Sequence, residues 1–166
     1  MLKRIKISGY KSLRDVEVRL TPLSVLFGPN AAGKSNFLDA LQLLSRIVSS
    51  RNLKEAFDPP YRGKPLESFS FGADGLPGLI AKESASFSIE VDIELSNHVV
   101  GVVERQIREI RQPKDTGQST EVAGKEEERV RTFITERAMR YRIEVEVLPK
   151  SGGVLRVADE YLTALS

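Results

Sequence analysis

One junction constrains this chain more than any other feature. The nearly all-apolar run Leu23-Ser24-Val25-Leu26-Phe27 passes directly into Gly28-Pro29-Asn30-Ala31-Ala32-Gly33-Lys34-Ser35. An apolar run without alternation predicts a strand buried on both faces of a sheet. Behind the glycine segment, Phe37, Leu41, Leu44 and Val48 recur at helical spacing, with Leu38, Ala40, Leu43 and Ile47 widening the stripe. So broad an apolar face predicts a helix packed deep against a sheet, fraying near Ser49-Ser50. Strand, glycine loop and helix in that order call for an α/β architecture.

The loop spells G-x-x-x-x-G-K-[ST] with Gly28, Gly33, Lys34 and Ser35. Average composition produces such a match by chance in roughly one of a couple of hundred chains of this length. The strand before it and the helix after it, each read independently, supply the context a phosphate-binding loop needs. The physics assigns each residue a task. Gly28 and Gly33 permit backbone angles and close approaches that a Cβ would block. The N–H groups of Asn30, Ala31, Ala32 and Gly33 then converge as an anion nest. Those of Lys34, Ser35 and Asn36 add the unpaired start of the helix and the positive end of its dipole. Lys34 reaches the β- and γ-phosphates as a point charge, and the Ser35 hydroxyl ligates magnesium. The expected ligand is a nucleoside triphosphate, ATP with Mg2+.

Composition narrows the rest. At 166 residues the chain is one domain or part of a larger one, and its 40% hydrophobic, 29% charged make-up is that of an ordinary globular protein. The absence of cysteine excludes disulfides and thiolate metal sites, and the single histidine, His98, leaves no zinc site of the usual kind. A formal charge of +2 from 25 basic and 23 acidic residues carries no electrostatic signature for nucleic acid. The local excess of Lys3, Arg4, Lys6, Lys11, Arg14 and Arg19 reads first as a solvated strand face. No stretch approaches the roughly 18 apolar residues of a membrane span, and Met1–Ile7 lacks the apolar core of a signal peptide. The expected location is the cytoplasm.

Along the chain, Ile5 and Ile7 alternate with Arg4 and Lys6, and Val16, Val18 and Leu20 alternate with Glu17 and Arg19 until Thr21-Pro22. Both segments predict half-buried strands. Residues 58–80, rich in proline and glycine, predict a long ordered loop or insertion. Phe87, Ile89, Val91, Ile93 and Leu95 give the cleanest alternation in the chain. Val99, Val103, Ile107 and Ile110 suggest a helix, although the Val99-Val100 and Val102-Val103 pairs also suit a strand. Residues 112–124 read as a flexible linker and 125–138 as a charged helix. Ile143, Val145 and Val147 mark another strand, and Ser151-Gly152-Gly153 turns into a last one, Val154–Val157.

The run Gly28–Leu41 resembles the GPNGxGKSNxLDAL segment of the SMC, RecF and OLD-like ATPases, the ABC-type heads. Ile5-Lys6-Ile7-Ser8-Gly9-Tyr10-Lys11-Ser12-Leu13 is similar to their I-x-I-x-G/N-F-K/R-S opening. The resemblance is specific over about residues 1–48. It implies a P-loop NTPase of ABC-ATPase head type, in which an antiparallel β-sheet flanks the strand–loop–helix core of an N-terminal lobe. It also implies that Lys11 is a second phosphate contact. Ala31-Ala32 departs from the family's commoner Gly-Ser or Gly-Ala pair, a change expected to leave the loop's fold intact. The family's magnesium-sensing glutamine is not assignable among Gln106, Gln112 and Gln118.

An ABC-type head completes its site with an LSGGQ signature, a Walker B strand ending in Asp-Glu and a switch histidine. Leu148–Gly153 imitates the first and Val154–Glu160 the second, but the two are contiguous, and Arg156 places a charge where Walker B must be buried. Ser151-Gly152-Gly153 therefore reads as a hairpin turn, Asp159-Glu160 as the start of a surface segment, and His98 as a surface histidine. On this reading 1–166 is the N-terminal lobe of a larger head. It binds Mg-ATP but hydrolyses it slowly or not at all without a C-terminal half and head dimerisation. DNA enters as a partner by family analogy only, and no membrane is involved. Two rivals stand beside this reading. One is a self-sufficient kinase or GTPase using Asp159 or Asp92 as the magnesium partner; the other is an interaction module whose loop is vestigial.

Overall fold

The computed structural model describes residues 1–59, 63–111 and 133–165. Its frame is one antiparallel sheet of β1 (Leu2–Tyr10), β2 (Leu13–Arg19), β3 (Ala85–Glu94), β4 (Ala138–Leu148) and β5 (Val154–Ala164), in the order β2-β1-β3-β4-β5. The helices of the described residues are α1 (Lys34–Ser49), α2 (Leu53–Ala56), α3 (Gly75–Ile80) and α4 (Asn97–Arg111). Alternation in the sequence becomes two faces, as strand pleating requires. On the inner face Ile7 lies opposite Ile89, which lies opposite Ile143. These residues, with Ile5, Phe87, Val91, Val145 and Val147, form the core, and α1 covers it with Phe37, Ala40 and Leu43. Each valine, leucine, isoleucine or phenylalanine side chain so removed from water contributes about 1.5–3 kcal/mol.

The outer face is a ladder of opposite charges across neighbouring strands, the sheet counterpart of helical ion pairs. Arg4 bonds Glu17 on β2 at 2.8 Å and Glu90 on β3 at 2.7 Å. Arg140 donates twice to Asp92, at 2.7 and 2.9 Å. Arg142 reaches Asp159 on β5, and Arg156 reaches Glu146 at 2.6 Å. The Arg140 hydrogen bond, with the charges of Arg140 and Arg4, holds the Asp92 carboxyl below its ordinary range despite partial burial. Burial pushes Glu90 up, but bonds from Arg4 and Tyr161 and the two arginine charges outweigh it, and the net displacement is downward.

Gly9 breaks the alternation of β1. Its φ of +73° inserts an irregularity that turns Tyr10 onto the same buried face as Ile5 and Ile7. A Cβ there would also stand 2.7 Å from the Ser86 carbonyl oxygen. Tyr10 then packs edge-on to Phe87 with ring centres 5.3 Å apart, and Phe87 meets Phe69 at 5.1 Å.

Several expectations change. Leu23–Phe27 forms no strand: it belongs to no ladder, with Leu23 82% and Phe27 91% exposed. The apolar pattern is right for a central strand, but all the strands of the described residues pair with one another in the antiparallel sheet, leaving none beside it. Thr21-Pro22 does end the preceding segment, through a turn in which the Thr21 hydroxyl donates to the Leu23 carbonyl at 2.6 Å. β5 runs through Asp159-Glu160, which pair with Glu144 and Ile143, so these two residues continue the strand and do not begin a separate segment. Residues 97–111 are helical throughout, which resolves the valine pairs in favour of helix. The 58–80 segment contains a 3-10 turn at Pro65–Ser68 and α3. Residues 133–137 are not helical. Ala138, the last residue of the expected charged helix, opens β4, whereas its residues 125–132, the linker as a whole, Gln112 and Gln118 lie outside the described residues.

Candidate functional site

The loop curls as its glycines predict. Gly28 has φ +147°, Ala31 +64° and Gly33 +91°. The Ala32 N–H turns back to the Pro29 carbonyl at 3.4 Å, and Phe37 makes the first helical bond, to Gly33 O at 2.9 Å. Gly33 is the N-cap and carries no capping side chain, so the N–H groups of the first turn of α1 are left for a ligand or water. Gly33 is favoured by its φ of +91°, and a Cβ there would sit tightly, 3.2 Å from both Ser12 Oγ and Leu13 Cδ2. Ala31 occupies the left-handed region, which costs a non-glycine residue about 1 kcal/mol or more. The geometry gives a physical reason for a glycine at that place in the family pattern; the loop keeps its curl with alanine, at the expense of strain.

Lys34 folds over the loop and donates to the carbonyl oxygens of Gly28 and Pro29, both at 2.7 Å. Asn30, Ala31 and Ala32 are exposed at the tip, and Ser35 is exposed on the first turn of α1. Asn36 points the other way, its Nδ2 donating to Ser12 Oγ at 2.7 Å. Among the described residues no group of three acidic or histidine side chains is arranged to hold a metal ion.

Lys11 sits in the β1–β2 turn with φ +47°. Its ammonium pairs with Asp39 on α1 at 2.7 Å, and both side chains are largely buried. The turn is held from its other side as well: Lys11 N–H donates to Ser68 O at 2.9 Å, and the Ser70 hydroxyl donates to Lys11 O at 2.6 Å. Between the turn, the start of α1 and the 63–71 segment lies an open notch of about 610 Å3, lined by Lys11, Ser12, Arg14, Asn36, Glu67 and Phe71 among others.

Sequence reasoning named Lys11 and Asn36 but missed Asp39 and the notch. An acid between Leu38 and Ala40 in an apolar stripe was the available signal for Asp39. The notch had none, because its walls come from three separated segments. The signature-like segment resolves as the expected hairpin turn, whereas Asp159-Glu160 lies within β5. Pro149–Ser151 is a 3-10 turn followed by Gly152 and Gly153 at φ +79° and +74°, closing the β4–β5 hairpin. Val154–Glu160 lies in an exposed strand at the sheet edge. His98 and Gln106 are exposed on α4. Asp92 and Asp159, the magnesium partners of the self-sufficient rival, belong to the outer charge ladder and pair with Arg140 and Arg142 on the face away from α1.

With this geometry in hand, comparison with known proteins assigns the family. Residues 1–145 match the AAA ATPase domain. The chain belongs to that family. It is 41% identical over 44 residues to the OLD nuclease of Thermus scotoductus, covering 26% of this chain and 8% of that protein. It is 47% identical over 53 residues to the DNA replication and repair protein RecF of Bacteroides thetaiotaomicron, covering 31% of this chain and 14% of that protein. A longer match, 28% identical over 103 residues, is to RecF of Limosilactobacillus fermentum, covering 61% of this chain and 26% of that protein. The chain thus spans well under a third of the length of these relatives. No helix among the described residues is long and apolar enough to cross a membrane.

Proposed function

We propose that this AAA ATPase domain binds Mg-ATP through residues 28–36, as the N-terminal lobe of a head of the SMC, RecF and OLD-like kind. The observation that carries the reading is the curled loop seated at the uncapped start of α1, with the Lys34 ammonium drawn over it. Amides at a helix start and a flexible cation are what a polyphosphate requires. The adjoining notch is within the size range of small-molecule sites, and we assign it to the nucleoside. Phe71 offers a face for a base, and Ser12 and Asn36 offer polar atoms for a ribose. Ser35 would hold the magnesium, which when bound neutralises phosphate charge.

Hydrolysis in this reading needs groups from a C-terminal half or from a second head. The exposed apolar run Leu23–Phe27 supports such a partner, because it has the composition of a central strand and leads straight into the loop. A link to DNA, suggested by the name of the RecF relatives, is also a proposal. Arg4, Arg140 and Arg142 on the outer sheet face are already paired with carboxylates, so phosphate contacts to DNA would come from elsewhere.

Titration with Mg-ATP, comparing the wild-type chain with Lys34→Ala, tests the reading. The expected result is saturable binding that weakens at least tenfold in the variant, the scale of a lost charge-assisted hydrogen bond. Equal affinity of the two proteins would make the loop vestigial.

A further inference from the structure

The Lys11–Asp39 pair is not explained by stability. An ion pair with side chains only 13% and 11% exposed is largely withdrawn from water, and such pairs commonly contribute no more than apolar residues of equal volume. The backbone does not favour lysine at this place either, since φ +47° suits glycine or asparagine. What the pair does achieve is registration. Gly33, the N-cap of α1, and Asn36 and Asp39 on the helix are spaced three apart, so that successive members are neighbours on its surface, and each meets the β1–β2 turn. Ser12 and Leu13 abut Gly33, Ser12 bonds Asn36, and Lys11 bonds Asp39. The Ser68 and Ser70 contacts brace the same turn from outside. The ammonium is thereby fixed relative to the helix start that carries the loop, at the wall of the notch.

We infer that Asp39 is a positioning residue: its carboxylate fixes the Lys11 ammonium beside the nucleotide, so that whatever Lys11 contributes to binding depends on Asp39. This rests on the nucleotide reading above. Asp39 itself touches no ligand. Its effect on nucleotide affinity passes through Lys11, which separates it from a residue that merely stabilises α1.

The test is a double-mutant cycle on Mg-ATP affinity, read by calorimetric titration, with thermal melts to verify folding. Lys11→Ala and Asp39→Asn are each expected to weaken binding about tenfold, the value of one hydrogen bond to a charged group. The double variant is expected to be no weaker than either single one, and Asp39→Glu to recover part of the loss. If Asp39→Asn binds like the wild type, or if its loss multiplies with that of Lys11→Ala to about a hundredfold, Asp39 does not act through Lys11 and the inference fails. Should Asp39→Asn not fold, Asp39→Glu takes its place in the cycle: a change in affinity beside Lys11 but none beside Lys11→Ala supports the inference, and equal changes in both backgrounds overturn it. Lys34→Ala is measured in parallel. If it binds like the wild type the nucleotide reading falls and takes this inference with it, whereas a weakened Lys34→Ala beside an unaffected Asp39→Asn overturns the inference alone.

Discussion

The sheet and the segment just before the loop answer the same kind of sequence in opposite ways. In β3, apolar residues at every second position meet partners on both neighbouring strands, and Phe87 is buried. In residues 23–27 apolar residues are denser, yet Phe27 is almost wholly in water. Apolar content says that a segment needs cover; only partner strands provide it, and backbone N–H and C=O groups must be paired before burial becomes favourable. The sheet is locally and globally consistent, with an apolar inner face and a charge-matched outer one. The 23–27 segment has the first kind of consistency and lacks the second.

The sharpest way to break this contrast is to treat two phenylalanines alike. Phe87→Ala is expected to cost about 3–5 kcal/mol of unfolding free energy, measured by denaturant titration. Phe27→Ser is expected to change it by no more than about 0.5 kcal/mol, the scale of an exposed substitution. A comparable loss at Phe27 would mean that the segment is covered within the chain after all. Next in size comes Gly9→Ala, expected to cost about 2 kcal/mol or more, since it forces both a left-handed alanine and a clash with the Ser86 carbonyl. An unchanged melting midpoint would show that β1 can dispense with its irregularity.

The smallest effect concerns the outer face. Asp92 and Glu90 have folded pKa values lowered from the ordinary range, so their pairing stabilises the sheet fully above about pH 5. That contribution declines as pH falls through about 4 and toward the folded values, where protonation removes the negative partners. Arg140→Gln should therefore be more destabilising at pH 7 than at pH 3 in parallel denaturant titrations. A pH-independent difference would mean that the pair contributes through packing alone.

Much of this was legible in the sequence, and what was not has physical causes. The half-buried strands were readable because alternation is local, and the loop because its chemistry is contiguous from Gly28 to Ser35. Leu23–Phe27 misleads because pairing is non-local. β5 extends beyond its apolar start because an edge strand with Asp159, Glu160 and Thr163 needs only one neighbour. Gly9 hides its role, since nothing in Ser8-Gly9-Tyr10 announces that the alternation slips there and brings Tyr10 inward. The Lys11–Asp39 pair joins residues that only the folded hairpin brings together.

One consequence follows from where Lys34 rests. Its ammonium already has two carbonyl oxygens, those of Gly28 and Pro29. If the loop binds a polyanion as proposed, that ligand displaces an occupant that is part of the chain, and its affinity is the difference between two sets of bonds. On the proposed reading, such an internal stand-in favours ligands whose charge is high enough to win the exchange. Monoanions, offering a weaker reward, would leave the lysine where it is.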